Sequence, residues 1–282
     1  MSLVTTQQML HDARKRGYAL AAFNVENMEM VQAVVEGAEE LKSPVILQTS
    51  ANTSKYAHFS YYFAMVQAAA ERASVPVALH LDHGDSFDLA MQALRAGYTS
   101  IMIDGSKKEF DDNIAISAKV VEACAPSGIP VEAELGKVGG KEGDEETSED
   151  GYTDPQEAKE FVEKTNVSSL AVAIGTLHGV YKGIPKLDVE RLYEISRTID
   201  VPLVLHGGSG LSEAAIQDCI KNGISKVNYA TELRTAFSQG VKKVLAETPD
   251  VIDPKKYTIV GREYVKQMAI DKMKVCGSVG KA

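Results

Sequence analysis

Eight short apolar runs rich in β-forming residues recur along the chain, each followed by a stretch of helical period. They are residues 18–25 (YALAAFNV), 44–50 (PVILQTS), 76–83 (PVALHLDH), 100–105 (SIMIDG), 130–136 (PVEAELG), 169–176 (SLAVAIGT), 202–208 (PLVLHGG) and 226–231 (KVNYAT). This alternation is the pattern of βα units. Four of the runs open with proline, where a missing N–H harms the ladder least, and Ser86, Asp154 and Ser212 stand as N-caps of following helices. Eight such units in 282 residues fit an α/β fold of the closed (β/α)8 TIM-barrel type. An open doubly wound sheet would have fewer strands and a GxGxxG after the first, and the first βα turn has no such glycines.

Two segments fall outside the eight units: an extra N-terminal helix at 5–16 and a C-terminal helical tail at 254–273. No linker divides the chain, so residues 1–282 read as one barrel domain. The least regular stretch is 137–154 (KVGGKEGDEETSEDGYTD), a glycine-rich acidic run too long for an ordinary βα loop and expected to move.

A net charge of −9 argues against non-specific nucleic-acid binding and directs attention to small-molecule partners. Cys124, Cys219 and Cys276 are widely spaced, form no CxxC and give neither a disulfide framework nor a zinc-ribbon spacing, which favours a reducing compartment. No apolar stretch approaches the roughly 18 residues of a membrane span, and the N-terminus reads as an amphipathic helix rather than a signal peptide. The expected location is the cytoplasm, with no membrane partner.

In barrels of this kind catalytic residues gather at the C-terminal ends of the strands. The unusual polar residues fall there: Asn24, Ser50, Asp82, His83, Asp104, Glu132, Glu134, His178, His206 and Asn228. A lone histidine at a strand end is more often structural than a ligand. Three of them, His83, His178 and His206, at matching depth on the third, sixth and seventh units, point instead to a catalytic zinc site of three imidazoles and an open position. His80 alternates away from His83 and reads as structural, as do His11 and His58. Cys124 and Cys219 lie in helical periods and read as core. Asp104 and Glu134 are candidates for secondary or alternative metal ligands. A second constellation, HGGSGLSEAA at 206–215 followed by NYATELRTAF at 228–237, combines a glycine-rich turn with helix starts, which suits a phosphate.

The segments LHLDHGDSF, SIMIDGS, VEAELGKVGGKEG, GTLHGVYKG, VLHGGSGL and KVNYATEL occur in that order over nearly the whole chain. Together they resemble the zinc-dependent class II ketose-bisphosphate aldolases. The resemblance implies reversible cleavage of a ketose 1,6-bisphosphate to dihydroxyacetone phosphate and glyceraldehyde 3-phosphate. It further implies His83, His178 and His206 as zinc ligands, and Asp82 as the acid/base at the C4 oxygen. Asp104 and Glu134 match a second metal position, and Glu142 matches a loop glutamate that moves the C3 proton. Gly179, Gly207, Gly208, Ser209, Asn228 and Thr231 match the part that holds dihydroxyacetone phosphate, with Ser50 and Asn24 as further contacts. Tyr229 and Ala230 lie in the same segment. Tyr229 stands where a small aliphatic residue is usual, and Ala230 where fructose-type enzymes usually carry Asp or Asn, which looks more like the tagatose-type branch. A monovalent cation is a further candidate cofactor, and a homodimer or homotetramer using the tail helix with Arg262 is the expected assembly.

The chemistry agrees with that resemblance. Breaking a C3–C4 bond leaves an enediolate, which needs either a lysine Schiff base or a metal as Lewis acid. The sixth run has no lysine, Lys226 sits at the start of the eighth, and Lys107 and Lys182 lie in loops. A metal-dependent epimerase or phosphoester hydrolase would not need Glu142, and a non-catalytic homologue would normally lack Asp82 or a histidine.

Overall fold

The computed structural model describes residues 3–142, 145–147, 151–179, 183 and 185–282. The first half of the chain runs α1 (Thr6–Arg16), β1 (Leu20–Asn24), α2 (Met28–Leu41), β2 (Val45–Ser50), α3 (Ala51–Tyr56), α4 (Phe59–Arg72), β3 (Val77–Gly84), α5 (Phe87–Ala96), β4 (Ser100–Ile103) and α6 (Phe110–Cys124). Then come β5 (Val131–Leu135), β6 (Gly139–Glu142), β7 (Glu145–Thr147), α7 (Pro155–Thr165), β8 (Ser169–Val172), β9 (Leu177–His178) and α8 (Val189–Thr198). The chain ends with β10 (Leu203–Leu205), α9 (Glu213–Lys221), β11 (Ile224–Tyr229), α10 (Thr231–Glu247) and α11 (Pro254–Val275).

Strands β1, β2, β3, β4, β5, β8, β10 and β11 close into a parallel barrel in chain order, with β11 pairing back onto β1. These are the eight expected runs. The expected caps form: Ser86 Oγ accepts from Leu89 N, Asp154 from Gln156 N and Glu157 N, and Ser212 from Ala215 N. The eighth strand starts at Ile224, two residues earlier than its apolar run, so Lys226 lies inside the strand rather than at its start. The stretch after β5 is also more regular than expected. Strands β6 and β7 form an antiparallel hairpin there, and β6 pairs with β9 in a small three-stranded sheet beside the barrel.

Side-chain alternation divides the core into two. Phe23, Leu47, Leu79, Ile101 and Val227 face the helices and join them in one large apolar cluster. Leu20, Ala22, Ile46 and Ala78 face inward and pack on Met9, Leu10 and Ala13 of α1, which closes the bottom of the barrel. Thr6 of the same helix donates to Ser100 Oγ at 2.9 Å. Above this plug the interior turns polar, with buried Gln48, His80, Glu132 and Lys226 below Asn24, Asp82, Glu134, His206 and Asn228. The leftover helix therefore has a packing role, and the tail helix α11 lies across α2 and α10. No helix among the described residues is long and apolar enough to cross a membrane.

Leu10 is 2% exposed. Leu10→Ala removes a buried side chain from a closed space and is expected to cost about 2–5 kcal/mol in urea unfolding. A loss below about 1 kcal/mol would mean that α1 does not seal the barrel.

Candidate active site

The third strand shows how the site is built. Regular alternation along β3 puts Ala78, His80 and Asp82 on the interior face and would turn His83 outward. The pairing of β3 with β4 slips between Leu81 and Gly84, and His83 takes a φ of 47° in the left-handed region. This irregularity brings His83 into the interior beside Asp82, as bulges near active sites do. A left-handed non-glycine residue costs about 1–3 kcal/mol, so the turn is held by its surroundings. Gly84 accommodates it, because a Cβ there would stand 2.5 Å from the carbonyl oxygen of Met102. His80, expected to be structural, does face away from His83 by strand period, but it lies inside the barrel directly below Asp82.

His178 arrives on β9, paired with Gly140 of β6, and His206 follows the end of β10. Ring centroids lie 4.5 Å apart for His83 and His206, 5.0 Å for His83 and His178, and 6.0 Å for His178 and His206. Each of the three offers a nitrogen within 4.8 Å of the others, and His83, Asp104 and Glu134 form a second such set. His206 Nε2 donates to Glu132 Oε1 at 3.1 Å. Its Nδ1 is buried, has no hydrogen-bond partner, and stands 3.1 Å from Glu134 Oε2 outside hydrogen-bond geometry. A ligating histidine characteristically gives its other N–H to a carboxylate, so this arrangement and the three-imidazole donor set fit a zinc ion. Burial pushes the pKa of His178 well below its ordinary value, which keeps its ring neutral and able to ligate.

Asp82 is clamped by two amides. Asn24 donates to its Oδ2 at 2.7 Å and Asn228 to its Oδ1 at 3.0 Å, while Gln48 donates to Asn24 Oδ1 at 2.8 Å. Burial alone would raise the Asp82 pKa, but the nearby His83, His206 and Lys226 and the Asn24 hydrogen bond outweigh it and bring it to about 2. Asp82 is therefore a fixed carboxylate. Asp104 is likewise held well below the usual carboxylate range, against its burial, by a 3.0 Å contact with His83 Nδ1 and by the Ser106 amide.

Two hollows meet at this cluster. One is lined by Asn24, Asp82, Gly179, Gly207, Ser209, Asn228, Ala230 and Thr231, the other by Ser50, Lys55, Asp104, Lys107, Lys108, Glu134 and Lys137, and both by His83 and His178. In the first, Gly207 has a φ of 69°, and a Cβ on it would lie 2.3 Å from the carbonyl oxygen of Leu177. Ser209 Oγ accepts from Ala230 N at 3.2 Å. The 17-residue α10 starts at Thr231 with no side-chain cap, so its first N–H groups remain available to an anion.

One expected substrate contact takes another position. Tyr229 is fully buried on the outer face of β11, stacked on Phe23 at 5.8 Å between centroids, with its hydroxyl 3.5 Å from Cys276 Sγ. Period two requires this once Asn228 faces inward. Gly208 lies in the turn beside Gly207, its N–H bonded to the Asn228 carbonyl. Glu142 closes strand β6, and its side chain, like Lys182, lies outside the described residues. Gln48, His80 and Lys226 are buried interior residues that do not stand at strand ends. Their signal was polar and charged side chains at period-two positions inside parallel strands that are otherwise apolar.

Residues 4–281 match the family model described as fructose-bisphosphate aldolase class-II, and the chain belongs to that family of aldolases, lyases that act on a carbon–carbon bond. A Bacillus subtilis (strain 168) protein named "Probable fructose-bisphosphate aldolase" is 45% identical over 285 residues, covering 100% of both chains. The YdjI aldolase from Escherichia coli K12 superposes with a TM-score of 0.88 at 40% identity over 99% of each chain. A fructose-bisphosphate aldolase from Campylobacter jejuni shares the fold, with a TM-score of 0.83 at 22% identity over 100% of this chain and 97% of that one.

Gly207→Ala forces a side chain into the left-handed region against the Leu177 carbonyl. We expect a loss of about 1–3 kcal/mol in chemical denaturation, with unchanged stability excluding the observed turn.

Proposed function

We propose that the protein is a zinc-dependent aldolase that reversibly cleaves a ketose 1,6-bisphosphate to dihydroxyacetone phosphate and glyceraldehyde 3-phosphate, with tagatose 1,6-bisphosphate preferred. The observation that carries this reading is the cleft running through the histidine cluster. One end has a glycine turn and an uncapped helix start, and the other has Lys55, Lys107, Lys108 and Lys137. Such a cleft suits a molecule with an anionic group at each end and reacting carbons between them.

His83, His178 and His206 would hold zinc, which supplies a Lewis acid for the charge that develops on the substrate oxygens as the C3–C4 bond breaks. Asp104 and Glu134 offer it a second position. Asp82 accepts the proton of the C4 hydroxyl during cleavage and returns it during condensation. The amide clamp of Asn24 and Asn228 keeps its carboxylate ionised and oriented for that transfer. Gly179, Gly207, Gly208, Ser209, Asn228 and Thr231 bind the dihydroxyacetone phosphate end, Ser50 and the lysines bind the glyceraldehyde phosphate end, and Glu142 moves the C3 proton. Ala230 offers no hydrogen bond where an acid or amide would, a difference of about 0.5–1.5 kcal/mol between C4 epimers. A second reading, fructose 1,6-bisphosphate as the preferred substrate, is favoured by the name of the Bacillus subtilis relative.

Two measurements test this. Triose phosphate release from each ketose bisphosphate should be faster with the tagatose epimer and should vanish on treatment with a strong chelator. Release that persists without metal would overturn the mechanism, and faster release from the fructose epimer would select the second reading. Asp82→Ala should retain bound zinc while losing about 10²–10⁴ in turnover, the usual contribution of a positioned acid/base. Near-normal turnover would remove Asp82 from proton transfer.

A further inference from the structure

Lys226 is fully buried in the middle of the barrel, beneath the histidine cluster. Its Nζ donates to Glu132 at 2.8 Å to Oε2 and 3.1 Å to Oε1, and stands 3.2 Å from His80 Nε2. An ammonium has three protons and no lone pair, so all three are used and His80 Nε2 must be the acceptor. The His80 proton is then on Nδ1, which donates to Ser100 Oγ at 2.8 Å, an oxygen that also accepts from Thr6 at 2.9 Å. Lys226 is thus fixed from both sides and cannot present a free amine to a substrate.

Glu132 Oε1 is the shared point. It accepts from Lys226 Nζ and from His206 Nε2, each at 3.1 Å. Because that oxygen is an acceptor held in place by the ammonium, His206 must carry a proton on Nε2, and Nδ1 is the ring nitrogen that faces the cluster, 3.1 Å from Glu134 Oε2. Buried ion pairs add little net stability compared with apolar residues of similar volume, so packing gives no reason for a charge here. The geometry assigns one.

We propose that Lys226 is a positioning residue for the metal site: acting through Glu132, it fixes the ring orientation and tautomer of His206. The inference rests on the reading of His206 as a zinc ligand and extends it to the layer beneath.

The test uses the full-length protein with Lys226→Met and with the double variant Lys226→Met/Glu132→Gln, which leaves no buried charge without its partner if the single variant fails to fold. In the double variant the introduced amide can turn either its oxygen or its nitrogen toward His206. Three quantities are measured: zinc affinity by competition with a chromophoric chelator, the urea midpoint of the metal-free protein, and the His206 tautomer from ¹⁵N chemical shifts. The expected result is zinc affinity weakened about 10–100-fold, as for other outer partners of metal ligands, with a mixed His206 tautomer in a variant that remains folded. A folded variant with zinc affinity within about twofold of the parent and a single Nε2–H tautomer would overturn the proposal. Parental protein that binds no zinc would overturn the metal-site reading itself, a result distinct from parental binding that the variants leave unchanged.

Discussion

The ion pair between Lys226 and Glu132 sits where a charge is most costly, inside a closed barrel with no strand edge and no solvated strand face. A polar atom placed there must find its partner among other interior side chains. One commitment leads to the next: the ammonium needs Glu132, its third proton needs His80, His80 needs Ser100, and Ser100 is met by Thr6 of the plugging helix. Upward, the same carboxylate receives the N–H of His206. Removing one member of such a buried pair typically costs about 3–5 kcal/mol, while replacing the whole pair with apolar groups is often neutral or favourable. The network is therefore better understood as specification than as stabilisation. It links the helix at the bottom of the barrel to the chemistry at the top without a loop.

The upper layer is arranged on a different principle. Asp82 is held by amides rather than by cations in direct hydrogen-bond contact, so its two oxygens keep their charge and their direction. His83 reaches the cluster through a left-handed backbone, and Gly207 through a turn that tolerates no side chain. His178 depends on the pairing of β9 with the β6 strand of the acidic stretch. Strain and close backbone approach concentrate at the strand ends, above a middle layer in which Lys226, Glu132 and His80 are bonded to one another. Such a division lets the strained residues rest on a rigid floor.

Much of this was legible in the sequence. Eight apolar runs with helical stretches between them gave the barrel, since the period of a buried strand and the length of a crossover are local properties. The three histidines and Asp82 were found by their position at strand ends. The depth of Lys226 was not, because Ser225 and Lys226 interrupt the apolar run and hide a strand that begins at Ile224. Nor was the slip at His83, which shifts the pairing register locally and leaves no trace in side-chain period. Tyr229 follows from a rule that was available: once Asn228 faces the cleft, its neighbour must face the helices. The hairpin in the acidic stretch depends on pairing with β9, a contact between segments far apart in the chain, and composition carries no information about it.

The same network bears on which of the two ways of stabilising an enediolate this chain can use. A Schiff base needs a neutral amine with access to the substrate carbonyl. Among the described residues the one fully buried lysine is Lys226, and its three protons are committed to Glu132 and His80. Freeing it would leave the Glu132 carboxylate without a counter-charge and withdraw the acceptor that orients His206. The lysines that do face the cleft, Lys55, Lys107, Lys108 and Lys137, lie at the end suited to an anionic group, where charge rather than nucleophilicity is useful. Lysine chemistry is thus excluded at Lys226 by its partners and disfavoured at the rim by position. The group beside Asp82 is the histidine cluster, each ring of which offers a nitrogen within 4.8 Å of the others. On the proposed reading, its nitrogens would hold the cation that takes the developing charge, and the adjacent carboxylate would carry the proton.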